Sequence, residues 1–142
     1  MPVAAEFETE SVMANKNKTD YEFTAKQKYA DMSARKIRPY ATLIRGRVAD
    51  EALELLRFLP NKSARLLEAV LKSALGNAED RGARNIDDLV ITESRVDGGP
   101  ILKRHMPRAR GTAYPIKRRY SHIRITLTDL DVRDEQQAAA AE

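Results

Sequence analysis

The sequence predicts an α+β fold from which a long basic β-hairpin projects. Three observations carry this expectation. The first half of the chain holds three helix-like segments with capping or stop residues. The second half changes to apolar alternation with a period of two, and its two alternating segments enclose a stretch that is basic throughout.

Residues 1–24 combine Glu6, Glu8, Glu10, Asn15, Lys16, Asn17 and Lys18 with little apolar periodicity. Burial there could not offset the entropy of ordering the chain, so a flexible extension is expected. Its end overlaps a weakly alternating segment, 22–31, that reads as an edge strand. Ser33 is placed to cap a helix over 34–44 through its hydroxyl, and Gly46 to stop it. Pro39 falls inside this helix, where it removes one backbone donor and crowds the carbonyl four residues back; a kink or a late start is expected. Asp50 is the expected cap of a short second helix through Phe58, ended by Pro60. Asn61 opens a third helix in which Leu66, Leu67, Val70, Leu71, Ala74, Leu75 and Ala78 form an apolar stripe, and Gly82 closes it. Full burial of a large apolar side chain contributes about 1.5–3 kcal/mol, which makes this helix the main element of the core.

From Asp88 the pattern is that of a strand, with Val90, Thr92, Ser94 and Val96 on one face and Leu89, Ile91, Glu93 and Arg95 on the other. Asp97-Gly98-Gly99-Pro100 reads as a kinked junction whose glycines can take positive φ. The return strand shows Ile123, Ile125 and Leu127 on one face. About ten extended residues per side reach roughly 30 Å at ~3.3 Å each. A body of about a hundred residues has a radius of gyration of ~13 Å, so a hairpin over about 97–122 would stand clear of it. Pro107 and Pro115 cannot donate to a ladder, and pairing is expected to break near a tip placed at Gly111-Thr112-Ala113. Residues 129–142, acidic and then alanine-rich, read as a flexible tail.

Charge is distributed very unevenly along this chain. Residues 1–32 sum to −2, 33–97 to +2, 98–128 to +8 and 129–142 to −4. The +8 segment has no carboxylate; its cations are Lys103, Arg104, Arg108, Arg110, Lys117, Arg118, Arg119 and Arg124. A second acid-free cluster comprises Arg35, Lys36, Arg38, Arg45 and Arg47. Self-repelling charge with too few large apolar side chains for a core points to an external polyanion, and nucleic acid is the polyanion that most often selects such a pattern.

Other functions find little support. There is no cysteine, and two histidines alone rarely hold a structural zinc, so no metal or cofactor is implied. His105 and His122 have no nearby carboxylate or thiol to activate them, and Ser121 and His122, being consecutive in a strand, point to opposite faces. The N-terminus has no basic leader and no apolar run approaches a membrane span, which favours an intracellular protein. The absence of tryptophan argues against recognition by rows of stacked rings. A DNA-bending β-arm is the competing reading, but such arms commonly work in symmetric pairs, and no second apolar helix face is available for a dimer.

Three runs are recognisable as residues: Val96-Asp97-Gly98-Gly99-Pro100, Lys103-Arg104-His105-Met106-Pro107-Arg108-Ala109-Arg110-Gly111 and Lys117-Arg118-Arg119-Tyr120-Ser121-His122-Ile123. With Ser33-Ala34-Arg35-Lys36, Leu43-Ile44-Arg45-Gly46, Glu51-Ala52-Leu53 and Leu71-Lys72-Ser73-Ala74, in that order, they give residues 25–128 a pattern that resembles the bacterial form of large-subunit ribosomal protein family twenty-two. The resemblance implies three helices packed on a small three-stranded antiparallel sheet with a long protruding basic β-hairpin. It also implies a non-enzymatic part of the cytoplasmic ribosome that aids assembly, its hairpin lining the nascent-polypeptide exit tunnel. The partners implied are large-subunit rRNA, neighbouring large-subunit ribosomal proteins and the nascent polypeptide. Carried onto this chain, the RNA-binding residues are Arg35, Lys36, Arg45, Lys103, Arg104, Arg108, Arg110, Lys117, Arg118 and Arg119. The tunnel-lining residues are Leu102, Met106, Gly111, Thr112 and Ala113. The chain departs from the family pattern at Ala34, Pro39, Gly98, Thr112 and Pro115.

Overall fold

The structure, a computed structural model, describes residues 22–83 and 85–129. Its elements are β1 (Glu22–Ala30), α1 (Ala34–Ile44), α2 (Ala49–Phe58), α3 (Lys62–Asp80), β2 (Leu89–Pro107) and β3 (Ala113–Asp129). The strands form one antiparallel sheet in the order β1-β3-β2, which leaves β1 at an edge, as expected, and β3 in the centre. The α+β class with three helices and three antiparallel strands is therefore observed. Most of the expected N-terminal extension and residues 130–142 of the expected tail lie outside the described residues. Glu22–Thr24, assigned to the extension, belong to β1, and Asp129, assigned to the tail, ends β3 as a buried residue.

The core lies between the helices and one face of the sheet. Leu67, Val70, Leu71, Ala74, Leu75 and Ala78 of α3 are buried together with Ile123, Ile125 and Leu127 of β3, Phe23 and Ala25 of β1, Ile37 and Ile44 of α1, and Leu56 of α2. Leu66, counted in the predicted stripe, is only partly buried. Gly82 ends α3 at a φ of 71°. Its N–H donates to the Glu79 carbonyl and that of Ala83 to the Ala78 carbonyl, each at 3.0 Å, a pairing that satisfies two carbonyls the helix leaves free.

The helix starts differ from expectation in their chemistry. Ser33 is the N-cap of α1, but its hydroxyl makes no capping bond; its carbonyl accepts from the Lys36 N–H at 2.9 Å. Asn61 caps α3 in position only, and its amide donates to the Tyr40 hydroxyl instead. The cap of α2 is Val48, and Asp50 lies inside the first turn with Glu51, where carboxylates favour the positive end of the helix. The cause is a tertiary contact. Val48 bridges Val90, Gly46 N–H donates to the Ile91 carbonyl at 2.8 Å, and Ile91 N–H donates to the Arg47 carbonyl at 3.0 Å, so strand-like pairing fixes where the helix can begin. Helix α1 runs unbroken from Ala34 to Ile44 with Pro39 inside it, so the late start does not occur. Pro39 and Arg35, whose carbonyl loses a partner, are both exposed, and water can take the place of the missing donor.

Strand β2 corrects the expected two faces. Ile91 pairs with Leu127 and Glu93 with Thr126, so Thr92 is an extra residue, a bulge that reverses which side chains face the helices. Leu89 and Ile91 are buried in the core before it, and Ser94 and Val96 are buried after it. A second shift lies between Gly98 and Ile101. Neither junction glycine has positive φ. Gly99 is needed for close approach, since a Cβ there would lie 2.9 Å from the Tyr120 carbonyl carbon, whereas at Gly98 it would meet nothing within 4 Å.

Pairing between β2 and β3 runs out to Pro107 and Ala113 without the expected break. Hydrogen-bonded and non-bonded pairs alternate in an antiparallel ladder. The Arg108 N–H donates to the Thr112 carbonyl at 2.8 Å. Counting inward, both Pro107–Ala113 and His105–Pro115 are non-bonded pairs, where a missing N–H costs nothing. The turn is Arg108–Thr112, with a 3-10 turn over Ala109–Gly111, so the tip centres on Arg110 rather than on Thr112, and Ala113 is already in β3.

Gly99→Ala is expected to cost about 1–3 kcal/mol through overpacking against backbone, and Gly98→Ala to stay within ~0.5 kcal/mol; thermal unfolding of the two variants beside the wild type checks the contrast. Glu68 accepts from Lys72 at 2.7 Å and lies 3.6 Å from Arg57. The Lys72 hydrogen bond, helped by the charges of Lys72 and Arg57 against a partial burial penalty, holds its carboxyl below the ordinary value. A lowered folded-state pKa stabilises above the unfolded value and the benefit is lost as pH falls through the folded one. Glu68→Gln is therefore expected to lower the unfolding temperature slightly at neutral pH and to match the wild type in strong acid, as read by melts across an acid titration.

Candidate nucleic-acid interface

Strand β3 pairs with β1 only as far as Ser121, opposite Ala30; beyond it β2 and β3 continue as a two-stranded arm. Every residue from Pro100 to Arg119 is exposed. Cross-strand partners share a face, which sorts the arm into two sides. One side carries Ile101 with Arg119, Lys103 with Lys117, His105 with Pro115 and Pro107 with Ala113. The other carries Leu102 with Arg118, Arg104 with Ile116 and Met106 with Tyr114. Residues of β3 with odd numbers, from Ser121 to Leu127, are buried toward the helices. No shift interrupts β3, so Lys117 and Arg119 project from the helix side of the sheet and Arg118 from the other.

Lys103 and Lys117 are direct neighbours of like charge, which disfavours the pair unless an anion lies between them. Among the described residues no carboxylate pairs with any cation of the arm from Lys103 to Arg119. At the tip Arg110 has a φ of 59°, and the Thr112 hydroxyl donates to the Ala109 carbonyl at 2.8 Å, which fixes the turn. The predicted RNA-binding cations Lys103, Arg104, Arg108, Arg110, Lys117, Arg118 and Arg119 are thus all on the arm and all exposed. Leu102 and Met106 share the face opposite Lys117, Gly111 and Thr112 belong to the turn, and Ala113 is on the Lys117 face.

The second basic cluster divides. Arg35 and Lys36 are exposed in the first turn of α1. Arg45 donates to the Ser94 carbonyl at 2.6 Å and Arg38 to the Val96 carbonyl at 3.3 Å, so both tie α1 to β2 just before the arm leaves the body. Arg47 is held by the Leu43 carbonyl and by Glu51. Arg45 therefore has a structural partner as well as the exposed surface expected of an RNA contact.

Where the arm meets the body, Lys117, Arg118 and Arg119 line one cleft with Lys36 of α1, Lys62 of α3 and Asp31. Lys62 was not among the sequence candidates. It is far from the arm along the chain, and only folding brings the two together. His122 lies away from this cleft, its Nδ1 accepting the Tyr29 N–H at 3.0 Å and its ring edge-on to Tyr29 with centroids 5.0 Å apart. It braces the β1 bulge, where Tyr29 has a φ of 58°.

The chain is similar over long stretches to proteins of one kind. A Rhodopirellula baltica protein named large ribosomal subunit protein uL22 is 51% identical over 115 residues, covering 78% of this chain and 97% of that protein. A protein of the same name from Caldicellulosiruptor saccharolyticus is 46% identical over 106 residues, 75% of this chain and 87% of its own length. One from a Thermotoga species is 41% identical over 121 residues, 85% of this chain and 76% of its own length. The sequence pattern of ribosomal protein L22p/L17e matches residues 25–128, from the edge strand through the arm to the end of β3, and the chain belongs to that family.

Proposed function

We propose that this protein is a structural constituent of the large ribosomal subunit that binds large-subunit rRNA and aids its assembly, without catalysis. One observation carries the reading: an acid-free arm whose residues from Pro100 to Arg119 are exposed and whose cations have no carboxylate partner among the described residues. Such an arm neutralises phosphates and displaces their condensed counterions, and it positions RNA strands without reading their sequence. The contacts are assigned to Arg35, Lys36, Arg45, Lys103, Arg104, Arg108, Arg110, Lys117, Arg118 and Arg119. The paired ladder holds the arm extended, so that it can enter a folded RNA as a rod.

The tip is assigned to the wall of the nascent-polypeptide tunnel. Gly111, Thr112 and Ala113 provide small or uncharged surface there, with Met106 paired to Tyr114 just behind them and flanked by arginines that hold RNA, whereas Leu102, opposite Arg118, lies near the root of the arm. The family to which the chain belongs supports this reading, as does an arm long enough for its tip to lie well clear of the body. The functional unit is residues 22–129, with the hairpin over about 97–122; the neighbours of its body are other large-subunit proteins.

Replacing Arg108, Arg110, Arg118 and Arg119 together by alanine is expected to weaken binding to large-subunit rRNA and to reduce the log-log salt slope by about three to four units, at 0.7 to 0.9 per phosphate contact. Circular dichroism should show an unchanged body, because all four side chains are exposed. An unaltered salt slope with intact folding would sink the reading.

A further inference from the structure

The cleft at the root of the arm draws its cations from three elements distant in sequence. Lys36 lies in the first turn of α1, Lys62 opens α3, and Lys117 and Arg119 leave β3 on the helix side of the sheet, with Arg118 beside them. Asp31, the one acidic residue lining the cleft among the described residues, is already engaged: Lys62 Nζ lies 3.4 Å from its carboxylate and 3.1 Å from its carbonyl. Lys36, Lys117 and Arg119 therefore face the cleft with no acid among the described residues left to balance them. Repulsion between them opposes the closed corner between body and arm. Farther out, the same face of the arm continues with the Lys103–Lys117 pair, again of like charge.

A small anion would not match this arrangement, because the charges are spread from the cleft along one face of the arm rather than focused on a point. A chain of phosphates would. Resting on the rRNA reading above, we infer that the cleft is a phosphate-binding site in which one rRNA strand passes from the body onto the arm, its backbone held successively by Lys36 and Lys62, then Arg119 and Lys117, then Lys103. The strand enters between helices and hairpin, and binding removes the repulsion that otherwise separates them. The opposite face, where Leu102, Met106, Tyr114 and Ile116 alternate with arginines, takes no part in this track. Lys62 thereby gains a role as an RNA contact, and the site joins two regions that composition presents as separate basic clusters.

The test is hydroxyl-radical footprinting of protein-free large-subunit rRNA by the full chain, with Lys62→Gln, Lys117→Gln and the double variant. Each single variant is expected to lose protection of the same short run of nucleotides, and the double variant to lower the salt slope by about 1.4 units, at 0.7 per single-strand contact. Loss of protection at separate places, or an unchanged footprint for Lys62→Gln, overturns the cleft while leaving the rRNA reading in place. A wild-type chain that protects no nucleotides overturns both. Since Lys62 also contacts Asp31, circular dichroism accompanies each variant. If Lys62→Gln perturbs folding, Lys36→Gln takes its place, with the same nucleotides at stake and the same outcome deciding.

Discussion

Ile123, Ile125 and Leu127 project from β3 into the core, and the strand that carries them also forms one side of the arm. Everything outside the body therefore inherits its orientation from these three contacts. Side chains alternate along an uninterrupted strand, so once Ile123 is buried under the helices, the sides taken by Arg119 and Lys117 are decided as well. The strand cannot turn over without exposing the core. Burial of aliphatic side chains, at about 1.5–3 kcal/mol each, thus fixes which arm cations look toward the body.

The neighbours of β3 absorb the mismatches. Both β1 and β2 carry extra residues, near Tyr29 in one case and at Thr92 and the Gly98–Ile101 shift in the other, while β3 keeps its register. Threonine hydroxyls help at the Thr92 bulge, on the far side of the sheet, where Thr92 donates to the Thr126 carbonyl at 3.2 Å and lies 3.1 Å from the Thr128 hydroxyl. Next to it, Arg38 and Arg45 hold β2 by its carbonyls. An exposed arm grafted on a small body is secured at its base by many short-range contacts rather than by one large interface.

Local chemistry was legible in the sequence wherever it acts alone. Gly46, Pro60 and Gly82 stop helices for reasons contained in a few residues, and the stripe from Leu67 to Ala78 follows the helical period. Legibility failed where distant segments meet. The start of α2 is set by the pairing of Val48 with β2, and the faces of β2 are reversed by a bulge that a simple count of alternating residues cannot detect. The prolines of the arm are harmless because of their place in the ladder, which depends on where the turn falls. For the candidate site the same division holds. The acid-free arm is written in composition, but the meeting of Lys62 with Lys117 and the engagement of Arg45 by Ser94 exist only after folding.

The close approach of Gly99 to the Tyr120 backbone has a mechanical side. The two backbones approach there more closely than any side chain at position 99 would allow. From there to the turn the arm is a lever of roughly 30 Å, counting about nine residues at ~3.3 Å. One degree of tilt at the root sweeps the far end by about half an ångström on that length. The angle at the shoulder, where Gly99 lets the two backbones approach, therefore decides where the far end of the arm lies.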